Sequence, residues 1–259
     1  MLLNSVILVL REVLEAAMVV SLFMAFTTVS QQSRRFLIKA ILLGLIAGAT
    51  YAYFLPEVSN WLEGVGQEIT NTAIHIGIYC CLTVFLWLIS RDINLPNQLV
   101  KGMMMTAIIL AISRESAEIM LYISGFRSDH FLMQSVLSGS LIGLGIGVSC
   151  GIFLYHLMIA LKPAAAAKCI CILVVIVGSS MMSQATQFLI QADWLASSNP
   201  VGDSSHLISE HSLPGQLLYA LMAYEATPTW SQILVYLTSL LLMLIVIVSG
   251  RFSRSIQHD

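Results

Sequence analysis

The chain is predicted to fold as an all-α polytopic membrane protein, seven transmembrane helices arranged as two inverted three-helix repeats plus one. Three observations predict it. Of the 259 residues 58% are hydrophobic and 10% charged, with a mean hydropathy of +0.86, where a soluble domain carries about a quarter charged residues. Seven apolar windows follow one another along the chain, and a charged motif in the first recurs in the fourth. The net charge is −2 with no basic tract, so nucleic acid is excluded as a partner and lipid is expected.

The windows fall at about 3–29, 36–55, 70–90, 102–124, 135–161, 166–190 and 229–250. A helix needs about 20 residues at 1.5 Å each to cross the hydrocarbon layer. Continuous apolar runs favour helices over a barrel, whose strands would alternate every second residue. The first window holds Arg11, Glu12 and Glu15 and lacks a basic leader region, so it reads as a span rather than a cleaved signal. Residues 213–224 are apolar but too short to cross, and read as an interfacial or re-entrant helix. The five cysteines lie inside apolar runs and read as packing residues.

Loop charge sets the expected orientation. Arg34, Arg35, Lys39, Arg91, Lys101, Lys162, Lys168, Arg251 and Arg254 share one side, while the alternate loops hold Arg127 and eight acids. This places the N-terminus outside and the C-terminus in the cytoplasm of a cell whose plasma (inner) membrane the chain crosses several times.

Arg-Glu-Val-Leu-Glu at 11–15 returns as Arg-Glu-Ser-Ala-Glu at 114–118, an offset of 103 that Gly44/Gly48 and Gly147/Gly151 share. Each unit has three helices, so the second copy starts on the opposite side of the membrane, an architecture that places a binding site where the repeats meet. Six ionisable groups near the bilayer centre would cost on the order of 15–20 kcal/mol facing lipid, so they must face each other, a cavity or a ligand. Glu12 and Glu15, like Glu115 and Glu118, are i and i+3 and share a face. Arg11 and Arg114 stand i to i+4 from Glu15 and Glu118, so each charge partner can satisfy part of one carboxylate or reach across to the other helix. Four carboxylates against two guanidinium groups leave −2, and a thiolate-free acidic set suits a hard cation.

Other candidates are weaker. Glu63, Glu68, His206, Glu210, His211 and Glu225 lie in loops on the acidic side and could capture a cation there. His75 and His156 read as helix-end residues near opposite faces, too far apart to share a haem iron. Met103, Met104, Met105, Met181 and Met182 read as core filling rather than a copper path. Gly139, Gly143, Gly147 and Gly151 form a stripe for close helix packing.

Two R-E-x-x-E motifs in spans one and four, with the segment SLPGQLLYALMAYEATPTWSQ before span seven, resemble the high-affinity iron permease family, the oxidase-dependent iron transporters and their bacterial counterparts. The likeness runs nearly the whole length, with Val13 and Ser116 at the third motif position. It implies a single transmembrane permease domain over 1–259, with repeat one at about 1–95, repeat two at about 96–195, an outer loop at about 191–228 and the seventh helix at 229–250. It implies a non-enzymatic iron importer with no permanently bound cofactor and iron, Fe(II) or Fe(III), as cargo. Glu12, Glu15, Glu115 and Glu118 would then be its ligands, and an external oxidase or peroxidase is an allowed partner. Asn71 stands where the family carries a second acid after Glu68. The same carboxylates would accept manganese or lead. A proton-relaying subunit of a redox complex and an assembly subunit without transport are the readings from other classes.

Overall fold

A computed structural model describes residues 1–91, 98–210 and 212–256. Among them are eight α-helices: α1 (Leu2–Val29), α2 (Arg35–Ser59), α3 (Gly66–Arg91), α4 (Gln98–Ser124), α5 (His130–Ala160), α6 (Pro163–Gln191), α7 (Leu213–Met222) and α8 (Trp230–Ile256). A 3-10 turn at Trp61–Gly64 joins α2 to α3, and β-structure among the described residues is confined to one isolated bridge, Pro200 to Thr229. All seven apolar windows are helical, and most helices run past them. Pro56 sits in the last turn of α2, which continues to Ser59; Asp129 caps α5 by accepting from the Phe131 and Leu132 amides; Pro163 opens α6. The window edges mark where hydrocarbon-compatible side chains end, and capping carries the backbone further.

Helices α2, α3, α5, α6 and α8 are each long and apolar enough to cross a membrane. α1 and α4, at 28 and 27 residues, match them in length and carry the charged motifs.

Contacts fix the relative directions. Ser5, near the start of α1, hydrogen-bonds Tyr122, near the end of α4, so these two run antiparallel. Along α5, Gly139 meets Leu2 and Ser5 while Gly151 meets Ala17 and Ser21, so α5 runs with α1; Gly44 and Gly48 of α2 meet Ile112 and Ser113 of α4 in the same sense. His75 reaches Gln184 while Leu82 lies by Gly178, making α3 and α6 antiparallel, and Tyr79 with Ser239 and Ser90 with Gly250 set α8 parallel to α3. The long helices therefore alternate: α1, α3, α5 and α8 one way, α2, α4 and α6 the other.

The two most extensive helix pairs are α1 with α5 and α2 with α4, each joining one half of the chain to the other. Both are glycine-mediated. A Cβ on Gly143 would stand 2.6 Å from the Val6 carbonyl oxygen, and one on Gly44 would stand 2.8 Å from the Ile112 Cβ. The glycine stripe of α5 is thus spent within the molecule, bringing two backbones together as small residues do in apolar surroundings.

A continuous apolar core fills the end of the bundle remote from the N-terminus. It holds Phe23 and Phe26 of α1, Phe85 and Leu86 of α3, Met104 and Ile108 of α4, and Ile170 and Met181 of α6. Phe85 meets both α1 phenylalanines edge-on, at 5.1 and 4.9 Å between ring centroids, the geometry that ring quadrupoles favour. Met104 and Met181 are buried here as packing, with Met103 and Met105 partly buried against them. Among the described residues no cysteine is in a disulfide.

Candidate functional site

The two charged motifs meet. Because α1 and α4 are antiparallel, Glu12, ten residues past Leu2, lies level with Glu115, nine before Ser124. The motifs therefore sit about a third of the way along both helices from the N-terminal side rather than midway, since the helices extend furthest at their opposite ends.

At the centre is Arg114, only 2% exposed. Its Nη1 lies 2.7 Å from Glu115, 3.4 Å from Glu15 and 3.5 Å from Glu12, and its Nη2 lies 2.9 Å from Glu118. One guanidinium touches all four carboxylates. The Glu12 and Glu115 carboxyl groups lie side by side. Glu12, Glu15 and Glu115 are buried, and each keeps one oxygen that accepts no hydrogen bond, as Arg114 Nε donates none. Such groups are costly in a dry interior unless another partner arrives. Glu118 differs: its side chain is 22% exposed and also accepts from Asn71 Nδ2 at 3.2 Å. Among the described residues no three His, Cys, Asp or Glu side chains stand close enough to hold a metal ion in the present arrangement, because the arginine occupies the space between them.

The second arginine behaves otherwise. Arg11 bonds Glu12 at 3.2 Å rather than Glu15, is 36% exposed, and lays its guanidinium 4.7 Å from the Tyr219 ring of α7. Its expected i to i+4 partner is lost because the aromatic face of α7 and the open space beside it draw the side chain outward. Helix α7 is short as predicted, capped by Ser212 and closed by left-handed Ala223 (φ 50°), and packs Ala220 on Leu10, Leu14 and Met18.

Two cavities reach this cluster from the N-terminal side. The larger, about 1010 Å³, runs from Asn4, Glu210 and Glu225 down to Arg11, Arg114 and Glu118. The smaller, about 290 Å³, is lined by Gln67, Glu68, Asn71, Glu118, Phe188 and Gln191. Glu118, Phe188 and Gln191 border both.

Of the loop residues expected to capture a cation, the structure brings Glu68, Glu210 and Glu225 to these cavities and leaves others away. Glu210 accepts from the Ala226 amide and Glu225 from Gln232 at 2.9 Å. Burial and the nearby Glu210 charge raise the Glu225 pKa, opposed by Gln232 and Arg11. Glu63 is exposed on the 3-10 turn and His206 is exposed beside Asp203, and neither lines these two cavities. His211 lies outside the described residues.

Sequence reasoning missed a polar layer beneath the carboxylates. His75 is no helix-end residue: it lies nine residues into α3, fully buried, with Nδ1 2.7 Å from the Asn71 carbonyl oxygen and Nε2 3.0 Å from Gln184 Oε1. Gln184 in turn faces Glu15, and Tyr51 donates to Asn71 at 3.1 Å. His156 is exposed near the end of α5, against Tyr155, as expected of a helix-end residue. The signal available was Asn71, His75 and Gln184 as polar residues inside apolar windows.

The "Iron permease FTR1 family" matches residues 2–256. Among curated relatives, the "Ferrous iron permease EfeU" of Escherichia coli O6:H1 is 24% identical over 262 residues, covering 93% of this chain and 94% of that one. Proteins of that name from Yersinia pestis (23%, covering 93% and 91%) and Shigella sonnei (23%, covering 89% of each) are similar. No solved structure matches. With the match spanning almost every residue, the chain belongs to the iron permease FTR1 family.

Proposed function

We propose that the chain is an inner-membrane permease that carries iron inward through the carboxylates of Glu12, Glu15, Glu115 and Glu118. The observation that carries this reading is the convergence of both Arg-Glu-x-x-Glu motifs at the floor of a polar vestibule. The alternating directions of α1 to α6 and α8 support seven spans, with α7 re-entrant beside α1. The cross-packing of α1 on α5 and α2 on α4 supports two inverted repeats that rock about their shared contact. The basic loops all fall at the end away from the vestibule, which supports an external N-terminus and a vestibule open outward.

Chemically, a hard cation loses water on entering and needs anionic oxygen in return. Glu210 and Glu225 at the mouth, and Glu68 in the side cavity, raise its local concentration. Glu118, the carboxylate with solvent exposure, meets it first; Glu12, Glu15 and Glu115 hold the acceptor oxygens without hydrogen bonds that complete its shell. Beyond them the apolar core closes the path until the repeats move. A divalent ion moving inward gains about 4.6 kcal/mol per 100 mV, twice the single-charge value. The curated relatives are named for ferrous iron, which favours Fe(II) as cargo.

The test is uptake of radiolabelled iron, supplied separately as Fe(II) and Fe(III), by cells carrying the wild type or Glu12→Ala, Glu15→Ala, Glu115→Ala or Glu118→Ala. Uptake of Fe(II) lost in all four at normal surface expression is the expected result. Uptake intact in all four would remove the carboxylates from the path.

A further inference from the structure

We propose that Arg114 is the cage's built-in counter-cation: its guanidinium offsets part of the charge of the four carboxylates while the site is empty, leaves them when a metal ion enters, and returns after release so that the unloaded protein can reorient. This deepens the carboxylate-site reading above and rests on it.

Three observations carry the inference. First, Arg114 takes the position a bound cation would take, within 3.5 Å of all four glutamates, whereas Arg11 pairs with Glu12 alone among them. Second, it fills the place incompletely. Glu12, Glu15 and Glu115 each retain a buried oxygen without a hydrogen bond, and Arg114 Nε is itself unpartnered. A planar guanidinium donates along fixed directions, whereas a metal ion attracts oxygens from every side; the carboxylates are over-supplied for an arginine. Third, the side chain has somewhere to go. Arg114 borders the vestibule, where Gln187, Gln191 and the Phe188 face, now 5.6 Å from its Cζ, offer amide oxygens and an aromatic surface.

The charge balance shows what the exchange accomplishes. With four glutamates, Arg11 and Arg114, the empty cluster carries −2, and it would carry −3 without Arg114. Every uncompensated charge turned within an apolar bundle is costly, so the unit of charge that Arg114 offsets favours reorientation of the empty site. A divalent cargo in place of Arg114 brings the set from −3 to −1, so Arg114 matters most on the unloaded half of the cycle. Arg11 cannot stand in, since it is drawn off to Glu12 and Tyr219.

Net uptake into empty vesicles needs the unloaded protein to turn back; exchange of labelled for unlabelled iron across the membrane does not. The full chain in proteoliposomes, with ascorbate-reduced radiolabelled Fe(II), is assayed both ways as wild type, Arg114→Gln, Arg114→Lys and Glu15→Gln. For Arg114→Gln we expect net uptake to fall at least tenfold more than exchange, with Arg114→Lys regaining much of the net uptake. Equal losses of both modes, or net uptake preserved, would overturn the proposal. Wild-type protein supplies a check that needs no variant to fold: phenylglyoxal labelling of Arg114, read by peptide mass, should rise several-fold on saturation with Fe(II), and labelling that stays flat or falls would overturn it. If Glu15→Gln leaves both modes intact, the carboxylate site itself is wrong. If it abolishes both while Arg114→Gln shows equal losses, the site stands and the counter-cation role does not.

Discussion

Replacing Glu15 with Gln should separate stability from transport. Glu15 lies 3.4 Å from Arg114 Nη1, which keeps three other carboxylates after the change. Losing a charge-assisted contact costs about 1.5–3 kcal/mol. Against this, the empty cluster relaxes from −2 to −1, and each like-charge pair near 4 Å is worth up to about 4 kcal/mol at an effective dielectric of 20. The two effects offset, so the folded protein should change by about 1 kcal/mol or less, which is about 2–4 °C in melting temperature for a chain near this size. For a divalent ion the gross loss of one carboxylate doubles to about 8 kcal/mol; the amide carbonyl and the lower desolvation return part of it. A net 3–5 kcal/mol, the scale of breaking a buried pair, corresponds to a loss in affinity of about a hundredfold to a few thousandfold. Thermal unfolding in detergent and Fe(II) uptake in proteoliposomes measure the two quantities. Uptake within threefold of wild type would refute a ligand role for Glu15. A fall of more than about 8 °C accompanying the loss would show that the cluster is a clamp holding α1 to α4.

Three further predictions follow from the packing and the vestibule. Gly143→Ala places a methyl group 2.6 Å from the Val6 carbonyl oxygen, forcing α5 off α1; about 1–3 kcal/mol of stability should be lost, visible as a lower melting temperature, and an unchanged value would contradict this contact. The raised pKa of Glu225 means that it gains a proton, and loses its attraction for a cation, at a higher pH than an ordinary carboxylate as the solution is acidified. Glu225→Gln should therefore lower uptake near neutrality and flatten the mildly acidic part of the pH profile, with a profile identical in shape to wild type as the contrary result. Asn71→Asp replaces the donor to Glu118 with a like charge; it should tighten metal binding several-fold while lowering the melting temperature of the metal-free protein, and weaker binding would count against Glu118 as first contact.

Much of this was legible in the sequence for simple reasons. Hydropathy alone located every long helix, and the i, i+3 spacing put each glutamate pair on one face. The loop charges and the shared offset of 103 were enough to expect opposed copies of one unit. What the sequence hid is the inequality of the two motifs. Arg11 and Arg114 occupy identical places in their pentapeptides, yet one leans on Tyr219 and the other is enclosed by four carboxylates, a difference made by α7, which packs against α1. The polar layer was missed for a related reason: Asn71, His75 and Gln184 gain meaning only when α3 and α6 cross beside Glu15, and single polar residues in an apolar window do not say which way they turn.

The apolar core has an electrical consequence. From Glu15 to the end of α1 is about 21 Å of helix at 1.5 Å per residue, bordered by Phe23, Phe26, Phe85 and the other apolar residues of the core. Water in the vestibule conducts, while this dry stretch insulates, so in the proposed orientation the membrane voltage would drop almost wholly across the apolar core. A cation arriving at Glu118 has felt little of that field. Loading should accordingly be indifferent to voltage, and nearly the whole electrical driving force should act on the single step that carries the ion past the phenylalanines.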